Sequence, residues 1–168
     1  YGICRRKRKG TPANNGSNSS MKLSEHFALW ELTKSQVADR NNIKNLPDEE
    51  STQNLGSTCE EILEPVRRHY GKPIAPSSGY RCLALNRVLG SADRAQHTTG
   101  QAVDFEVPGV ANMDLARWIM DNVDYDQLIL EFYKEGQPNS GWVHCSYVGQ
   151  ANRKQARRFD GRSWEPLS

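Results

Sequence analysis

His97 and Asp104 lie seven residues apart around Gly100 in AQHTTGQAVDF (95–105), and His144 follows much later in GWVHCSY. A histidine nitrogen and a carboxylate oxygen on either side of a tight turn suit two ligands of one metal ion. The second histidine would complete a set of two nitrogens and one oxygen, with a position left for water, as a catalytic zinc site requires. A free carboxylate nearby can then move protons, and an arginine can hold a developing oxyanion. A histidine and an aspartate at this spacing often arise by chance, so the inference rests on the fold bringing His144 back to them.

The strand pattern indicates how it would. AVDFEV (102–107) alternates, with Val103, Phe105 and Val107 on one face and Ala102, Asp104 and Glu106 on the other. QLILEFY (127–133) and GWVHCSYV (141–148) read as two strands joined by the loop KEGQPNS. Leu128, Leu130 and Phe132 mark the core face of the first, leaving Ile129 and Glu131 opposite. Val143, Cys145 and Tyr147 mark that of the second, leaving Trp142, His144 and Ser146 opposite. Residues paired across a hairpin share a face, so Glu131 and His144 belong on one side of the sheet, and Asp104 joins them if its strand does.

The remaining elements pack this sheet. Ser24 is expected to cap a short helical stretch whose apolar face includes Phe27, Leu29, Trp30 and Leu32. A long helix runs from the cap Asp48 to Gly71, with Leu55, Cys59, Ile62, Leu63, Val66 and Tyr70 as its buried stripe and an interruption expected at Pro65. Its last turn holds Arg67, Arg68 and His69, which complement the helix dipole, so His69 reads as structural; His26 reads as a surface or packing histidine. Ser77–Arg81 form a glycine-containing turn, LALNRVLG a short helix ending at Gly90, and Asn112 is expected to cap a helix with Leu115, Trp118, Ile119 and Val123 as its stripe.

Composition limits the alternatives. The chain of 168 residues suits one domain, with 36% hydrophobic and 25% charged residues. The net charge of +2 is uneven: five bases in 1–20 and a net +3 in 150–168 leave −6 for residues 21–149. An acidic body between basic ends argues against a specific nucleic-acid surface. Residues 1–20 read as a basic, disordered extension, 21–149 as the folded domain and 150–168 as a solvated basic tail. No apolar run approaches the roughly 20 residues of a membrane span, and no apolar segment follows the basic start as in a secretory signal. The expected location is therefore cytoplasmic until release. Cys4, Cys59, Cys82 and Cys145 form no metal-knuckle spacing and read as small apolar residues.

SSGYRC, ALNRVLG, AQHTTGQAVDF, QLILEF and WVHCS together resemble the zinc D-Ala-D-Ala carboxypeptidase family of murein-cleaving metallopeptidases, which includes phage endolysins and shares its fold with the hedgehog signalling domain. The resemblance runs from about Met21 to Val148, and its opening MKLSEHFALWELTKSQ is similar to the phage and prophage branch. It implies an α+β fold, a small antiparallel sheet with helices packed on one face and the zinc site on the other. It implies zinc held by His97, Asp104 and His144, with Arg81 meeting the scissile carbonyl or the terminal carboxylate of a peptidoglycan stem peptide. The activity implied is D-Ala-D-Ala carboxypeptidase or endolysin-type endopeptidase, in a phage-associated monomer with no membrane partner.

This chain departs from the family pattern at two site positions. Ala95, followed by Gln96, stands where many relatives have a substrate-contacting serine, which makes Gln96 the expected substrate contact. Gly141 stands where many relatives have a catalytic acid or histidine, which leaves Glu131 as the expected base, with Glu106 and Glu135 behind it. Trp142 reads as cleft wall or packing. The competing reading is a zinc-bearing binding or structural module of the same fold without turnover.

Overall fold

The computed structural model describes residues 20–168, so the expected N-terminal extension and Cys4 lie outside the described residues. The expected long helix opens at Asp48, whose carboxylate accepts from the Ser51 amide at 2.8 Å. It runs as α3 (Glu49–Thr58), a π turn (Cys59–Leu63) and α4 (Glu64–Tyr70). The π turn ends two residues before Pro65, which has no amide hydrogen to donate, so the interruption expected there takes the form of one widened turn. Gly71 closes the helix at φ +61°. His69 stacks on Trp118 with ring centroids 4.2 Å apart, as a structural residue should.

Before this helix lie α1 (Leu29–Thr33) and α2 (Gln36–Arg40). Ser24 is not the cap expected for the first. The Ala28 amide is capped by Glu31 at 2.8 Å, and the Ser24 hydroxyl donates to Glu64 at 2.7 Å instead. Glu64 is fully buried, and it also accepts from the His26 amide and meets His26 Nδ1, each at 2.8 Å. Burial alone would raise this carboxyl; the bonds from Ser24 and His26 outweigh it and hold the carboxyl below its ordinary value. The early segment is thereby pinned to the long helix. Trp30, expected in the apolar face, is half exposed.

The sheet has five strands in the order β1-β3-β2-β4-β5: β1 (Ala102–Phe105), β2 (Gln127–Glu131), β3 (Trp142–Ser146), β4 (Gln155–Phe159) and β5 (Trp164–Pro166). The α+β class is as expected, but the sheet is mixed, because β4 runs parallel to β2. Residues 150–168, expected as a solvated tail, instead supply β4 and β5. Ala156 faces the core beside Leu128, while Arg157 and Arg158 give the segment the charge that made it read as a tail.

Val103, Phe105, Leu128, Leu130, Val143 and Cys145 are fully buried on one face. They join the core residues Leu115 and Ile119 of α6 (Asn112–Asn122), which follows the short α5 (Leu83–Val88), and the stripe of the long helix. Phe132 departs from the expected alternation. Its φ of +55° turns the chain at the end of β2, leaving Phe132 40% exposed and packing Tyr133 against the core. Asn112 does not cap α6, which begins after Ala111. Its buried amide donates to Glu106 at 2.8 Å and to the carbonyls of Ser140 and Gly141 at 3.2 and 3.1 Å, anchoring the β2–β3 loop. Among the described residues, no helix is long and apolar enough to cross a membrane.

Candidate metal centre

His97 sits in a 3-10 turn, Gln96–Thr99, that ends at Gly100 with φ +74°. A side chain at 100 would also collide with the Ser51 carbonyl, so the reversal into β1 requires glycine. His97 Nδ1 lies 2.6 Å from the Gly79 carbonyl, which can only accept; Nδ1 therefore carries the proton and Nε2 presents its lone pair. Burial lowers the pKa of His97 below that of a free histidine, the charge of Asp104 offsetting only part of this, and the ring stays neutral.

Asp104 and His144 are directly paired across β1 and β3, which places both on the sheet face opposite the core. His97 Nε2, Asp104 Oδ1 and His144 Nδ1 converge at 3.3 Å (His97 to Asp104), 2.8 Å (Asp104 to His144) and 3.3 Å (His97 to His144). Zinc bonds of about 2.0–2.1 Å at tetrahedral angles separate neighbouring ligand atoms by roughly 3.3–3.4 Å. Two edges of this triangle have that length and the third is shorter. A neutral imidazole, a second imidazole and an ionised carboxylate are also the donor chemistry a divalent transition metal takes, so the residues fit such an ion.

Arg81 orients the carboxylate. Its Nη2 donates to Asp104 Oδ2 at 2.7 Å and its Nε to Ser78 Oγ at 2.8 Å, which leaves Oδ1 facing the two histidines. The turn around Arg81 holds the backbone too: the Ser77 amide donates to the Asp104 carbonyl at 2.9 Å, the Asp104 amide to the Ser78 carbonyl at 2.8 Å, and the Arg81 amide to the His97 carbonyl at 3.0 Å. Burial would raise the Asp104 carboxyl, but His97 and His144 outweigh it and hold the carboxyl far below its ordinary value.

Glu131 ends β2 directly opposite Trp142, two positions along from the pair of Ile129 and His144. It therefore shares the face of His144 as a diagonal neighbour. Burial and the charge of Asp104 push its carboxyl above the ordinary value, while His144 and Arg81 pull the other way. Gly141 has φ +67°, and a Cβ there would run into the Glu131 carbonyl, so this backbone admits no side chain at that position. The other two glutamates lie elsewhere: Glu106 is exposed and bonded to Asn112, and Glu135 pairs with Arg158 at 3.3 Å. Trp142 packs on Phe132 with ring centroids 5.1 Å apart.

The Gln96 side-chain amide donates to Asp126 at 2.8 Å, and its side-chain oxygen is buried without a partner among the described residues. Asp126, which sequence reasoning missed as a site support, is 1% exposed and takes Arg153 Nε and Nη2 at 2.8 and 2.6 Å. It thus couples the approach to β4 with the turn bearing His97. The bonds from Arg153, ahead of that from Gln96, lower its pKa to about 2. A carboxyl depressed on folding contributes stability above its unfolded pKa of about 3.9, and that contribution is lost as pH falls through the folded value. Asp126→Asn is therefore expected to cost up to about 2 kcal/mol near neutrality, with the difference from wild type closing between about pH 4 and pH 2. Urea unfolding across that window measures it.

A family model described as peptidase M15 matches residues 25–146, well over half of the chain and every residue of the centre. No curated protein matches the chain. The chain belongs to the peptidase M15 family and is a metal-dependent peptidase.

Proposed function

We propose that this M15 peptidase hydrolyses peptide bonds in peptidoglycan stem peptides, as a D-Ala-D-Ala carboxypeptidase or an endolysin-type endopeptidase, with zinc held by His97, Asp104 and His144. The observation that carries the reading is the converging donor triangle with Glu131 on the same sheet face. Bound there, zinc supplies Lewis-acid polarisation of an oxygen nucleophile and of the carbonyl it attacks.

Glu131 then acts as the acid–base group. It takes a proton from the attacking water as the carbon–oxygen bond forms, and returns it to the amine nitrogen as the carbon–nitrogen bond breaks. Its raised pKa suits both halves of this exchange. Since the backbone excludes a side chain at 141, no group from that position shares the task. Arg81 uses Nε and Nη2 on Ser78 and Asp104, while Nη1 makes no hydrogen bond to the described residues and in this reading meets a carbonyl oxygen or terminal carboxylate of substrate. Gln96 and Trp142 are the further substrate contacts in this reading.

The test is zinc content by mass spectrometry together with chromatography of muropeptides after incubation of the full chain with purified sacculi. One zinc per chain and new stem-peptide products are expected. Bound zinc with no new products would instead make the domain a binding or structural module of this fold.

A further inference from the structure

The face that carries Glu131 and His144 continues beyond the centre as a row of aromatic rings. Trp142 packs on Phe132 at 5.1 Å, Phe132 meets Phe159 at 5.9 Å, and Phe159 stacks on Trp164 at 4.4 Å. The register explains why they line up. Glu131 pairs with Trp142 on one side and with Phe159 on the other, and Phe159 pairs with Trp164, so Trp142, Phe159 and Trp164 share the face of the proposed base. Phe132 joins them because its left-handed backbone turns it out of the core, and its ring packs where a side chain at Gly161 would lie. Three strand spacings separate β3 from β5, roughly 14 Å in all.

The outer end of the row is open to solvent. Trp164 is 52% exposed and Phe132 40%, and the Arg157 guanidinium lies 5.8 Å from the centre of the Trp164 ring. Phe159 and Trp164 lie outside residues 25–146, so this end is an addition of the present chain to the part that matches the family model.

We propose that this row is a saccharide platform that seats the glycan strand of the substrate while the attached stem peptide enters the metal centre. The proposal rests on the peptidoglycan reading above and extends it to the sugars. Pyranose rings present apolar C–H faces that stack on aromatic rings, with polar edges that an arginine such as Arg157 can hydrogen-bond. Continuity selects this occupant: the row begins at the cross-strand partner of Glu131, and in peptidoglycan the sugar is covalently joined to the peptide to be cut. Stacked rings with an arginine also suit single-stranded nucleic acid. A polyanion laid along the row would, however, be led onto the carboxylates of Glu131 and Asp104.

The experiment compares kcat/KM for one stem peptide with and without its attached disaccharide, using the full chain, Trp164→Ala and Trp164→Phe. Trp164→Ala is expected to lower the ratio of glycan-linked to glycan-free kcat/KM by roughly 3- to 10-fold through KM, with recovery in Trp164→Phe. An unchanged ratio overturns the platform. If neither peptide is cut, the proposed activity fails while the platform remains testable by isothermal titration calorimetry with an oligomer of β-1,4-linked N-acetylglucosamine. A saturable change that is lost in Trp164→Ala supports it. No change, or a response to single-stranded DNA alone, overturns it.

Discussion

Replacing Glu131 by Gln is expected to lower stem-peptide hydrolysis by roughly 10²- to 10⁴-fold while bound zinc stays at the wild-type level. The amide keeps the size of the carboxyl but cannot take a proton from water or return one to the departing amine. Glu131 is not among the three converging donors, so metal affinity should survive its loss. The pH profile gives a second check. Glu131 works as a base only when ionised, and burial together with Asp104 raises its pKa. In the metal-free protein its carboxyl should therefore titrate above the roughly 4.3 of a free glutamate, as NMR of the side chain would show. Undiminished hydrolysis by Glu131→Gln would remove it as the base.

Asp104→Ala is expected to abolish zinc binding and also to destabilise the protein by about 3–5 kcal/mol in denaturant unfolding. Asp104 does two jobs with two oxygens: Oδ1 faces His97 and His144, and Oδ2 holds the Arg81 guanidinium. The Arg81 and Asp104 side chains are 15% and 8% exposed, so deleting the carboxylate strands a mostly buried positive charge. Arg81→Leu added to Asp104→Ala should recover part of the stability without restoring zinc, because the charge left unpaired is then gone. If the double variant is no more stable than Asp104→Ala, Arg81 is not the group left stranded.

Some of this was legible in the chain alone because it follows from local rules. Alternation in AVDFEV, QLILEF and WVHCS put Asp104, Glu131 and His144 on the non-core side of their strands, and pairing of β1, β2 and β3 set them on one face. The long helix was marked by Asp48, Pro65 and Gly71, each with a backbone constraint that operates within a turn or two. Where the reading failed, a local signal had a non-local competitor. Ser24 and Asn112 are good caps by type, but a buried glutamate forty residues away recruits the first, and the β2–β3 loop the second.

The sequence by itself determined the residue types of the centre, the turn and strands that carry them and the family they belong to. Tertiary structure alone decided that Arg81 holds Asp104, that Gly79 sets the tautomer of His97, and that residues 150–168 extend the sheet as β4 and β5. The physical reason is range. Side-chain periodicity is written into neighbouring residues, whereas a hydrogen bond from a distant turn, or a parallel strand reached by a crossover, depends on where packing brings remote segments together.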